Sequence, residues 1–200
     1  CALPILTKHI AIIQGHPDPN SFHFGHALAQ AYAQAARDAK HEVKMIDVAR
    51  LHFPLLNSKE AWELGDLPPA LNNARATIQW ADHLVVVFPL WLGDMPAYLK
   101  GFFEQVLRPG FAFAAGERGP FSKKLLTGKS ARLIVTMGMP AAVYRFYFRA
   151  HSVKNLERNI LGFCGIAPID ETLIGMVDAP DNAVREQWLA KVRVLGAQAQ

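Results

Sequence analysis

An α/β fold, with one parallel sheet covered by helices on both faces, is the class that the sequence predicts, on three observations. Apolar runs of strand length recur at 9–14 (HIAIIQ), 82–88 (DHLVVVF) and 131–138 (ARLIVTMG). These runs are continuous rather than alternating, as strands buried on both faces are. Segments with apolar residues at helical spacing separate them, and strands joined through helices pair in parallel with right-handed crossovers.

The elements follow in order. After the first run, Phe24, Leu28, Ala31 and Ala35 mark one face of a helix ending near Lys40. HEVKMIDV (41–48) alternates, which predicts a strand at or near a sheet edge. A polar stretch follows, then Leu67, Leu71, Ala74 and Ile78 at helical spacing before the second buried strand. Leu99, Phe102, Val106 and Leu107 give a third helix, stopped by Pro109 and Gly110. Residues 143–163 read as mostly helical beyond the third buried strand. APIDETLIG (167–175) supplies a fifth strand, and Val184, Trp188, Val192 and Leu195 form the stripe of a closing helix.

Two hundred residues, half of them apolar, suit one domain over residues 1–200. No apolar run is long enough to span a bilayer, and no signal segment is read. The chain opens on Cys1 rather than Met, as a trimmed or tagged N-terminus would. Two cysteines make no disulfide framework and predict a reducing, cytoplasmic setting. The net charge of +4 is scattered, which argues against a nucleic-acid surface.

In parallel sheets of this kind ligands bind beyond the carboxyl ends of the strands, so three loops come into question. GHPDPNSF ends in Asn20 and Ser21 at a helix start, where amides and a hydroxyl suit a phosphate; Ser21 is equally an ordinary N-cap. PLWLGDMP sets Trp91 between a buried strand and a helix, a flat group for a planar heterocycle or for packing alone. TMGMPAAVY is small at Gly138, and Tyr144 and His151 follow. Together the three loops predict one cleft with a phosphate end, an aromatic wall and hydrogen-bond donors. The eight histidines show no metal-ligand spacing, so no metal is predicted; His23 and His26 read as exposed or in loop contact on one helix face. Cys164 reads as packing.

Nearly the whole chain resembles the flavodoxin-like NAD(P)H:quinone oxidoreductases, the DT-diaphorase group and its shorter bacterial relatives. The resemblance is carried by HPDPNSF (16–22), ADHLVVVFPLWLGDMPAYLKGFFEQVL (81–107), GFAF with RGPFSKK (110–113 and 118–124), TMG (136–138) with Tyr144, and FCG (163–165). It implies a three-layer sandwich with strand order 2-1-3-4-5 and a bound flavin. His16, Ser21, Phe22 and His23 would surround the phosphate end, and Pro89, Leu90, Trp91, Leu92 and Gly93 would line the isoalloxazine. Thr136, Gly138 and Met139 would reach its pyrimidine side, and Arg185 would touch an adenine, which favours FAD over FMN. The resemblance further implies NAD(P)H as hydride donor, ping-pong reduction of quinones or similar aromatic acceptors, and Tyr144 and His151 as the catalytic pair. Phe111 and Phe113 would line the substrate pocket across a homodimer interface. An alternative within the same resemblance is an ancillary regulatory subunit of a cation-efflux system, peripheral to the membrane. The chain departs from the family pattern where Met137 and Met139 flank a lone Gly138, where Tyr144 and His151 stand seven apart rather than six, and where Trp91 comes one position early.

Overall fold

The computed structural model describes residues 7–20, 22–115, 122–178 and 182–200. Ser21 and part of the RGPFSKK motif lie outside them. Five strands form a single parallel sheet in the order β2-β1-β3-β4-β5. They are β1 (His9–Gln14), β2 (Glu42–Asp47), β3 (His83–Pro89), β4 (Ser130–Thr136) and β5 (Ile169–Ile174).

The continuous apolar runs become the three central strands, and period-two geometry sends their side chains to opposite faces. Ile10, Ile12, Val85, Val87 and Ile134 pack on one side with α1 (Phe24–Asp38) and α8 (Asn182–Gln198). Ala11, Ile13, Leu84, Val86, Phe88, Leu133 and Val135 pack on the other. There they meet α3 (Asn72–Trp80) and α4 (Ala97–Val106). Each fully buried Ile or Leu contributes about 1.5–3 kcal/mol, so both layers are held by the sheet itself. On the first face the two helices pack backbone to backbone: a Cβ at Gly196 would stand 2.4 Å from the Tyr32 carbonyl oxygen. The alternating β2 is the edge strand that its pattern predicts.

The structure adds detail in two parts. The polar stretch after β2 holds a 3₁₀ turn, Val48–Arg50, and a one-turn helix, α2 (Lys59–Glu63), capped by Ser58, whose Oγ accepts the Ala61 amide at 3.0 Å. Residues 143–163 are mostly helical, as read, but not continuous. They divide into α5 (Ala141–Phe146), α6 (His151–Asn155), a π-helical turn (Leu156–Leu161) and α7 (Gly162–Cys164). The break between α5 and α6 falls where Arg149 (φ 54°) and Ala150 (φ 48°) take left-handed conformations, which a continuous right-handed helix excludes. No helix among the described residues is long and apolar enough to cross a membrane.

Candidate functional site

Adjacent strands place three loops side by side at the carboxyl end of the sheet. Backbone hydrogen bonds lock them in register: Gly15 N donates to Val87 O at 2.7 Å, Leu90 N to Thr136 O at 2.7 Å, and Met137 N to Ile174 O at 2.9 Å. The cleft between them encloses about 730 Å³. That is within the range of sites for small ligands and cofactors.

The first loop makes the polar end. The His16 Nδ1 accepts the Asp18 amide at 3.1 Å, so in the neutral ring the proton sits on Nε2, as a donor. His23, at the N-cap of α1, pairs with the Asp18 carboxylate (Nε2 to Oδ2, 2.8 Å) and stacks on His16, ring centroids 3.9 Å apart and 17° from parallel. Asp18 also accepts the Asn20 amide at 2.9 Å, which closes the loop. Burial, and the nearby His23 and His26, hold the His16 imidazole below the ordinary histidine pKa. The His23 hydrogen bond keeps the Asp18 carboxyl below the ordinary carboxylate value. The first turn of α1 enters the cleft at Phe24, Gly25 and Ala27, and the leading amides of a helix have no intrahelical acceptor.

The second loop supplies the wall. Trp91 and Asp94 exchange two backbone hydrogen bonds (2.8 and 2.9 Å) around Leu92 (φ 50°) and Gly93 (φ 83°). Positive φ at both central residues makes a tight primed turn, and it leaves Trp91 half-exposed with its ring edge toward His16 at 5.7 Å. The third loop provides close approach, since a Cβ at Gly138 would stand 2.6 Å from Asp178 Oδ2. The fourth contribution comes from the segment after β5, where Arg185 donates to Val177 O at 3.1 Å and lies over Phe24. A smaller recess of about 210 Å³ adjoins the cleft there, lined by Phe24, Val177, Arg185 and Trp188 among others.

The structure therefore brings His16, Phe22, His23, Pro89, Leu90, Trp91, Thr136, Gly138 and Arg185 around one cleft. Ser21 lies outside the described residues. Leu92 and Gly93 sit at the tip of their turn and Met139 packs against the core; none of the three lines the cleft. Tyr144 is 2 % exposed; its hydroxyl accepts the Val153 amide at 3.3 Å, and burial raises its pKa. His151 lines a different, cationic cleft with Arg149, Lys154 and Arg158. The two are thus not brought together in the main cleft. Phe113 lines a separate apolar cavity of about 610 Å³ with Trp62, Phe103 and Phe163, and Phe111 lies under the Arg75 guanidinium, 4.4 Å away. Sequence reasoning missed Asp18, Phe24, Asp178 and the ring stack of His16, His23 and His26. The i, i+3 spacing of His23 and His26 was its one visible sign. Among the described residues no group of His, Cys, Asp and Glu is arranged to hold a metal ion.

A five-stranded parallel sheet with a cofactor-sized cleft at its carboxyl edge defines a flavodoxin-like domain. The chain belongs to the flavodoxin-like fold family, whose model matches residues 8–195. It is 30 % identical over 183 residues to a protein of Haemophilus influenzae named as an uncharacterized NAD(P)H oxidoreductase, covering 89 % of each chain. It is 27 % identical to an FMN-dependent NADH:quinone oxidoreductase of Macrococcus caseolyticus, over 96 % of this chain and 99 % of that one. The structure of the NAD(P)H:quinone oxidoreductase from Methanothermobacter marburgensis superimposes with a TM-score of 0.81 at 25 % identity, covering 97 % of this chain and all of the other.

Proposed function

We propose that the protein is an NAD(P)H-dependent flavoenzyme that reduces quinones or similar aromatic acceptors by two electrons, with donor and acceptor taking turns. The observation that carries this reading is the convergence of an imidazole-lined polar end, a tryptophan wall and a glycine floor in one cleft. The residues fit a flavin nucleotide. His16 and His23 with the first turn of α1 offer donors to a phosphate, while Pro89, Leu90 and Trp91 offer an apolar edge to a flat ring. Gly138 leaves room for that ring to approach the backbone. A flavin held there would supply two-electron transfer from the nicotinamide to the acceptor.

The protein's own share is placement. Thr136 and the Gly138 amide, both at the cleft, would offer donors to the negative charge that a reduced flavin ring gathers. Tyr144 acts at one remove in this reading. Its hydroxyl holds the Val153 amide, and the adjacent Ser152 hydroxyl donates to Asp94, which closes the Trp91 turn. His151 has no part in it. The recess at Phe24, Arg185 and Trp188 is large and aromatic enough to favour an adenine beside the flavin, so FAD is proposed over FMN. The apolar cavity at Trp62, Phe113 and Phe163 supports a homodimer in which that surface closes the acceptor pocket of the other protomer. The buried free thiol of Cys164 is in keeping with the cytoplasm.

The test is the visible spectrum of the purified protein before and after anaerobic NADPH, with the released cofactor identified by chromatography. Flavin bands that bleach, with FAD released, are the expected result. A colourless protein that takes up neither FAD nor FMN would overturn the reading.

A further inference from the structure

Behind the polar end of the cleft stands a third imidazole that the proposed function leaves unused. His26, on the first turn of α1, has its ring centroid 5.5 Å from that of His16 and 5.9 Å from that of His23. Both of its ring nitrogens are buried without a hydrogen-bond partner. So is Oδ1 of Asp47, at the end of β2, although the other oxygen of that carboxylate accepts Arg50 Nε at 2.9 Å. The Asp47 carboxylate favours the charged form of His26, against the larger effect of burial. Buried polar groups left unpaired in a native fold call for a reason.

The charges facing this stack are few and can be named. Asp18 faces it from the first loop, Asp47 and Arg50 from the end of β2, and Asp178 and Arg185 line the same cleft from beyond β5. Three imidazoles within 6 Å of one another repel when charged, and burial adds to the cost. Both effects hold His16 below the ordinary value, whereas His26 is held down by burial first, with Asp47 pulling the other way. Both His16 and His26 are thus disfavoured as cations. A phosphate reverses that balance, because an anion beside the rings favours their charged form.

We propose, building on the flavin reading, that His26 is a positioning residue for the flavin phosphate, which binds together with a solvent proton taken up by the His16–His23–His26 stack. A protonated His26 is favoured by the negative charge of Asp47, with which it shares that end of the fold. That leaves His16, whose Nδ1 is already engaged with the Asp18 amide, to donate through Nε2 to the phosphate. The sign follows from linkage. Groups whose pKa rises on binding are protonated by the ligand, so affinity falls as pH rises, about tenfold per pH unit for each proton taken up within the window.

FMN and riboflavin differ only by the phosphate and share the same titrating ring, so their dissociation constants at pH 7 and pH 9 isolate the effect. Above pH 7 the FMN phosphate is already largely a dianion. For the wild type, FMN binding should weaken about tenfold between the two pH values and riboflavin binding by less than about twofold. His26→Gln should bring the FMN ratio down to about twofold, and Asp47→Asn should lower it in the same direction. A residue that merely packs would shift affinity equally at both pH values. Calorimetry of FMN binding to the wild type, in buffers of different ionisation heat, should show net proton uptake without any variant. Equal pH ratios for FMN and riboflavin, a His26→Gln protein with the wild-type ratio, or no proton uptake would overturn the proposal. Failure to bind either flavin at any pH would overturn the flavin reading, and this inference with it.

Discussion

Two buried histidines at opposite ends of the sheet show what separates structure from function here. His83 opens β3 at the amino end and is 2 % exposed; its Nδ1 is 2.7 Å from Ser130 Oγ on the neighbouring strand. Burial, with Lys8, Arg132 and His41 nearby, pushes its pKa down to about 3. His16 follows β1 at the carboxyl end and is buried nearly as well, yet its ring lies on His23 at the wall of the open cleft. Both imidazoles are disfavoured as cations. Only the second faces space that an anion can enter and so change its state. The amino end is closed by the chain itself, where the Tyr32 hydroxyl donates to Gln200 O at 3.0 Å and Lys8 Nζ to Ala199 O at 3.1 Å. The carboxyl end is left for a ligand.

Substitutions at the carboxyl end should therefore change ligand affinity and leave stability nearly intact, and those at the amino end should do the reverse. The largest effect is expected at Gly138. A valine there meets Asp178 and fills the floor of the cleft, which should weaken flavin binding about tenfold to a hundredfold, with Tm nearly unchanged; a fluorescence titration checks it. Next comes acid lability at the amino end. The folded-state pKa of His83 lies below the unfolded value, so its contribution is present above pH 6.5 and is lost as pH falls toward 3. Between pH 6.5 and 4 the loss should be about 2–3 kcal/mol in urea unfolding, and His83→Asn should flatten that arm of the profile. Trp91→Ala should cost roughly tenfold in flavin affinity through lost ring contact and little in Tm. Tyr32→Phe should cost about 1 kcal/mol of stability through the lost hydrogen bond and leave flavin binding unchanged. A Tyr32→Phe protein with weakened flavin binding would break the separation between the two ends.

The parts of this division that were legible in the sequence are those built from regular periods. Ile10 to Ile13 and Leu84 to Phe88 are apolar without interruption because both faces of the sheet are covered, and that pattern identifies central strands directly. Knowing where the strands end is enough to bring His16, Trp91 and Gly138 to one edge, since parallel strands set their following loops side by side. Less legible was how the helical segment from Tyr144 to Cys164 is divided. Arg149 and Ala150 are left-handed without being glycine, and the π-helical turn after α6 shifts the helical phase, so spacing in sequence no longer reports direction in space. Tyr144 accordingly faces the core, and His151 a cleft of its own. The short α2 escaped because five residues, none of them buried, carry no period. The histidine stack escaped for another reason: its rings meet only when the Asp18 turn folds His16 back over His23.

The central claim is that the carboxyl-end cleft, rather than the apolar cavity around Phe113, is where the flavin sits. A crystal structure of the protein grown with FMN tests it most directly. The account predicts the phosphate within hydrogen-bond distance of His16 or His23 and the ring between Trp91 and Gly138. A flavin found in the cavity of Trp62, Phe113 and Phe163, with the histidine end unoccupied, would contradict it.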